Sequence, residues 1–236
     1  MAFIAGGDEG IRLFRLFGIR VSLHWTWFLV AAWQIDQRKG VYPNAAWVAG
    51  EYLALFGIVL LHEFGHALAC RQVGGVADRI LLWPLGGVAY AAPPARPGAY
   101  LWTIAAGPLV NVVLVPVFFL CGFLLGDASP EAARFWGRLQ VINLVLLVFN
   151  MLPIYPLDGG QVLRGLLWFV MGPVRSLWAA SGIGLLAGAG VVIWAVARGW
   201  LWMAVMLGFM VVQAWQGFAA AREAMARERE FEPPRP

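Results

Sequence analysis

Residues 45–71 read AAWVAGEYLALFGIVLLHEFGHALACR, an apolar run interrupted by Glu51 and by His62-Glu63-Phe64-Gly65-His66. On a helix, two histidines four residues apart share one face about 6 Å apart along the axis. Both imidazoles can then reach one zinc ion while Glu63 stays close to a bound water, the arrangement of a zinc hydrolase. The setting adds depth. Ionisable residues inside a membrane-spanning segment are costly and mark functional sites, so the motif places hydrolysis within the membrane.

Composition agrees with that reading. The chain has 236 residues, 61% hydrophobic and only 13% charged, with a mean hydropathy of +0.73; these values describe an integral membrane protein. A net charge of +4 and a pI near 9.5 raise nucleic acid as a partner. The basic residues are scattered between apolar segments without a dense patch, however, so membrane topology accounts for them and no nucleic-acid partner is expected. Cys70 and Cys121 fall near opposite ends of their spans, which argues against a disulfide between them.

A bilayer core about 30 Å thick needs about 20 apolar residues per helix. Six segments are predicted to span: 21–34, 45–71, 100–125, 139–157, 177–197 and 200–220, followed by a short cytosolic tail from 222 to 236. The first is short, contains His24 and follows Arg12, Arg15 and Arg20, the layout of a signal peptide; lacking a small-residue cleavage site before Gln34, it reads as a retained span. Residues 1–221 are expected to form a single domain of six transmembrane helices. Ile80 to Trp83 and Val88 to Tyr90, around Pro84-Leu85-Gly86-Gly87, read as a short interfacial β-hairpin. Tryptophans 25, 27, 33, 168, 178, 200, 202 and 215 crowd span ends as an aromatic belt.

Orientation follows from charge. With six crossings both termini share a side, which collects Arg12, Arg15, Arg20, Arg71, Arg79, Arg96, Arg164, Arg175 and the tail arginines, against Arg38, Lys39, Arg134, Arg138 and Arg198 opposite. The arginine-rich side is cytosolic by the positive-inside rule. His62 and His66 then lie in the cytosolic third of the second span, and the fourth span ends at the same depth near Asp158.

A catalytic zinc generally takes three protein ligands and a water, and the HExxH helix supplies two. Glu51 sits about 16 Å from His62 along the axis and cannot complete the set. Asp158 can: it follows Asn150-Met151-Leu152-Pro153-Ile154-Tyr155-Pro156-Leu157, where two prolines interrupt the helix, and precedes Gly159-Gly160, which allow close approach. The alternative for Asp158 is an N-cap of the amphipathic stretch 161–171.

The two motifs, in this order, resemble the site-2 proteases, intramembrane zinc metalloproteases with HExxH on one span and an NxxPxxPLDGG-like segment on another. Leu85-Gly86-Gly87, Gly107-Pro108-Leu109-Val110-Asn111 and His24-Trp25 are weaker matches to the same pattern. The resemblance implies one zinc per chain on His62, His66 and Asp158, and Glu63 as the general base. Its implied substrates are membrane-embedded protein segments; the arginine distribution places both termini and the active-site opening on the cytosolic side of the cell membrane. Asn150 would hold the substrate or stabilise an oxyanion, or else make an interhelical hydrogen bond. Asn111 is either a substrate contact or polar repair beside Gly107-Pro108. An edge near Gly86, Gly87 and Val88 would pair with unwound substrate as an added strand. His24 is expected to make an interfacial hydrogen bond. The loops are too short for the PDZ domain many members insert. A transporter would carry paired repeats, which this chain lacks, and an inactive relative would have lost a ligand or the base.

Overall fold

The computed structural model describes residues 10–37, 40–83 and 86–230. Pro84, Leu85, Arg38, Lys39 and the tail end 231–236, which entered the expectations above, lie outside them. The order is β1 (Ile11–Leu16), β2 (Ile19–Leu23), α1 (Thr26–Gln37), α2 (Ala45–Gln72), β3 (Val76–Trp83), β4 (Gly86–Ala92), α3 (Pro97–Leu125), α4 (Pro130–Asn150), α5 (Asp158–Ala197) and α6 (Leu201–Glu230). Among the described residues five helices, α2 to α6, are long and apolar enough to cross a membrane. Large side chains such as Phe119, Phe123, Val170 and Leu186 stay exposed on them, as lipid-facing residues do. This is a multi-pass membrane protein.

The first expected span, 21–34, takes a different form. Val21 to Leu23 belong to β2, and α1 has 12 residues, about 18 Å of rise, too short to cross alone. The chain nevertheless runs the length of α2 between Gly18 and Asn44. Arg71, in the last turn of α2, donates from Nη2 to the Gly18 carbonyl at 3.5 Å and from Nε to that of Ala77 at 2.7 Å, while Asn44 caps the other end through Ala46 N–H. A strand and a short helix thus stand where one helix was expected. The expected hairpin is likewise half of a four-stranded sheet in the order β1-β2-β3-β4, with β2 and β3 parallel and the other pairs antiparallel.

The chain divides into two compact units. The first holds the residues up to Pro94 and Ala106–Leu147. Its core is one face of the sheet, Ile19, Val21, Leu23, Ala77, Ile80 and Leu82, packed on Val59, Phe64, Ala67 and Cys70 of α2. Trp27 is buried here against Tyr52 and Phe56, so it is a core residue and no part of an aromatic belt. At the far end of α2, Glu51 is 1% exposed, accepts from Tyr42 Oη and lies 3.9 Å from Arg138 Nε. Neither cysteine is in a disulfide.

The second unit holds Ala95–Ala105 and the chain from Val148 onward. α4 ends at Asn150, seven residues before the expected limit, because the segment with Pro153 and Pro156 cannot continue it. α5 starts at Asp158 and continues through the amphipathic stretch into the fifth span, bending at Gly172 (φ 81°) before Pro173. α6 packs against α5, with Gly188 close to Val211 and Gly217 close to Tyr155 and Ser181.

Candidate metal centre

α2 and α3 approach closely because Gly65, inside the HExxH motif, presents no side chain. A Cβ there would lie 2.7 Å from the Ala106 carbonyl oxygen and 2.9 Å from Val110. The approach brings Gly107 against the two histidines: its Cβ would fall 2.8 Å from His62 Nε2 and closer still to His66 Nε2. The two Nε2 atoms are 3.1 Å apart, so both rings aim the same nitrogen at one point. Glycine at 107 leaves that point open.

The nitrogen each ring presents is set by its neighbours. His62 Nδ1 lies 2.6 Å from Asn111 Oδ1 on α3, and Asn111 Nδ2 donates to Asn143 Oδ1 at 2.8 Å. Asn143 Nδ2 in turn donates to the Asn111 main-chain oxygen at 2.9 Å. Since the Asn111 amide nitrogen faces Asn143, its oxygen faces His62 and accepts from Nδ1–H, which makes Nε2 the nitrogen suited to a metal. Asn111 is 0% exposed and bonded through both ends of its amide, as a partner of His62 and Asn143. Asn143 escaped the sequence reading altogether; its only signal is an amide within an apolar run.

Glu63 points to the sheet. Its Oε2 accepts from Ala89 N–H of β4 at 2.9 Å. A Cβ on Gly87 would collide with the Glu63 side chain, so β4 reaches the carboxylate only because residue 87 is glycine. Gly86, Gly87 and Val88 are half-buried on this outermost strand.

Asp158 is the first residue of α5. The cap position belongs to Leu157, without a side-chain capping bond, so the N-cap alternative does not describe Asp158. Gly159 and Gly160 sit against the backbone of Met151, Leu152, Ile154 and Tyr155, where a Cβ would not fit; the proline segment folds tightly onto the helix start. Asn150 is half-buried at the end of α4. His24 lies elsewhere: its Nδ1 is 2.6 Å from Thr26 Oγ1 and its ring packs between Trp25 and Trp83.

His62, His66 and Asp158 are the candidate metal ligands, each offering one ligand atom. All three are nearly buried, at no more than 9% exposure. Two imidazole nitrogens and one carboxylate oxygen are a zinc donor set, and the space at Gly107 fits such an ion.

Comparison with known proteins follows the same lines. Residues 51–134 and 126–192 match Peptidase family M50. The chain is 33% identical over 177 residues, 75% of its length, to "Zinc metalloprotease MJ0392" of Methanocaldococcus jannaschii, and covers 51% of that protein. It spans about half the length of the first curated relatives it matches. Among solved structures it resembles "Site-2 Protease from Methanocaldococcus jannaschii", with a TM-score of 0.65 and 28% identity, covering 89% of this chain and 95% of that one. A matched family region containing both histidines and Asp158, on a shared fold, establishes that the chain belongs to peptidase family M50, the site-2 protease family.

Proposed function

We propose that this protein is an intramembrane zinc metalloprotease that hydrolyses peptide bonds in or near transmembrane segments of membrane-embedded proteins. The observation that carries this reading is the meeting of His62 Nε2 and His66 Nε2 beside Glu63 on an apolar helix, with Asp158 as the third candidate ligand. The printed names of its relatives, zinc metalloprotease and site-2 protease, support it.

His62 and His66 offer Nε2, and Asp158 a carboxylate oxygen, to one zinc per chain. Zinc, when bound, polarises a carbonyl and lowers the pKa of water to about 7. Asn111, backed by Asn143, fixes the His62 ring. Glu63, held by Ala89 N–H, is the general base that takes the proton from the attacking water and delivers it to the leaving amine, a role that contributes roughly 10²–10⁴-fold. Asn150 holds the substrate or the oxyanion.

A peptide bond in a helix must unwind before attack, and each unsatisfied backbone group in lipid costs about several kcal/mol. β4 is the last strand in the sheet order, and its Ala89 N–H bonds to the Glu63 side chain. An unwound substrate pairs along this edge at Gly86 to Val88 and meets the base directly. The arginine distribution sets both termini and the opening on the cytosolic side of the cell membrane.

The experiment is cleavage of a membrane-helix peptide by the purified chain in micelles. Cleavage that stops with a zinc chelator and returns with zinc is expected. Cleavage indifferent to the chelator would remove zinc from the reading, and zinc-loaded protein that cleaves no membrane helix would remove the proteolysis.

A further inference from the structure

The sheet has a second face. Cross-strand pairing sets Arg15 of β1 opposite Arg20 of β2, and Arg20 opposite Arg79 of β3. Paired residues share a face, and this one is opposite the face on which Ile19, Val21, Ile80 and Leu82 enter the core. Three guanidinium side chains therefore leave one row of the sheet, on strands about 4.8 Å apart. Arg15 and Arg20 are exposed, and Arg79 lies with Cζ 3.8 Å from the centroid of the Tyr90 ring. Like charges directly opposite one another destabilise a sheet. Asp78, in the irregular step beside Arg79, is the only acidic residue on the four strands.

The row also has a defined level. Arg71, in the last turn of the candidate span α2, bonds the carbonyls of Phe17, Gly18 and Ala77. Arg15, Arg20 and Arg79 lie two residues from these contacts, where α2 leaves the apolar layer. Around them Ile11, Leu13, Leu16 and Phe17 are exposed, Phe17 by 67%. Arginines interleaved with exposed apolar side chains at the end of a span are the composition of an interfacial lipid contact.

We propose that Arg15, Arg20 and Arg79 form a binding row for the phosphates of anionic phospholipid headgroups in the leaflet where α2 ends. The lipid neutralises the row, and the apolar side chains of β1 and its turn enter the adjoining acyl boundary. The sheet is thereby held at a fixed depth, and with it β4, whose Ala89 N–H meets Glu63. This proposal does not depend on the proteolytic reading.

The purified full chain in mixed micelles is the test, with phosphatidylglycerol and phosphatidylcholine as probes. Native mass spectrometry counts bound lipids, and the thermal midpoint is followed in parallel. The parent chain is expected to retain phosphatidylglycerol preferentially and to be stabilised by it. Each arginine near a membrane surface contributes about fivefold to such attraction, so Arg20→Gln, at the exposed centre of the row, should weaken the preference by about fivefold. The triple Gln variant should abolish it and the triple Lys variant should keep most of it. Inorganic phosphate at matched ionic strength should not reproduce the stabilisation. An unchanged phosphatidylglycerol preference in Arg20→Gln, or equal stabilisation by phosphate, overturns the proposal.

Discussion

Replacing Gly87 by alanine tests the link between sheet and base. A Cβ at this position would lie 2.5 Å from Glu63 Cδ and 2.6 Å from Oε1, and nearer still to Cγ. Carbon contacts favour about 3.5–4.0 Å, so the carboxylate must shift by about 1 Å. A displacement of this size at a reacting group can cost about 10²-fold in rate, within the roughly 10²–10⁴-fold a general base supplies. Because the obstructed group is a flexible side chain, the cost in stability should stay at the low end of the roughly 1–3 kcal/mol range for overpacking. Gly87→Ala is thus expected to bind zinc as the parent does, melt within a few degrees of it, and cleave a membrane-helix peptide about 10²-fold more slowly, chiefly in kcat. Gly57→Ala, on the same helix as Glu63 with nothing within 4 Å of its Cβ, is the control and should leave the rate unchanged. Parent-level turnover by Gly87→Ala would show that Glu63 is not held in its working position by β4.

Asn111→Ala removes the acceptor for His62 Nδ1–H; zinc affinity should fall by about 10–100-fold, measured by competition with a chromogenic chelator. Gly107→Ala places a methyl group where the two Nε2 atoms converge, and elemental analysis should find the purified protein largely without zinc. Tyr42 has its phenol pKa pushed up to about 12, first by burial and then by its bond to Glu51. A group whose folded pKa is raised contributes stability that is complete below its unfolded value near 10 and is lost as pH climbs through about 12. The parent should therefore lose an increment of thermal stability across that window which Tyr42→Phe, already lower at neutral pH, does not lose.

The candidate metal ligands were legible because their signals are local or sequential. His62 and His66 declare themselves by spacing on a helix, and Asp158 by the proline and glycine residues around it. What surrounds them was harder to read. Asn143 and Gly107 matter through lateral helix contacts, for which one chain's periodicity carries no code. The opening strands were hidden by a competing pattern: Ile19, Val21 and Leu23 alternate with Arg20 and Ser22 at the period of a strand, yet they run into the apolar residues of α1 and so read as the start of one span. The hairpin was visible in the turn-capable stretch Pro84-Leu85-Gly86-Gly87 between two apolar runs, whereas the pairing of β2 with β3 joins residues some sixty positions apart in the sequence.

In the proposed mechanism zinc sits on His62, His66 and Asp158 with Glu63 as the base. Parallel measurement of zinc content and membrane-peptide cleavage in Asp158→Ala and Glu63→Gln tests it most directly. Asp158→Ala is expected to lose metal and activity together, and Glu63→Gln to keep about one zinc per chain while cleaving nothing detectable. Full zinc occupancy and full cleavage in Asp158→Ala, or near-parent turnover in Glu63→Gln, would contradict it.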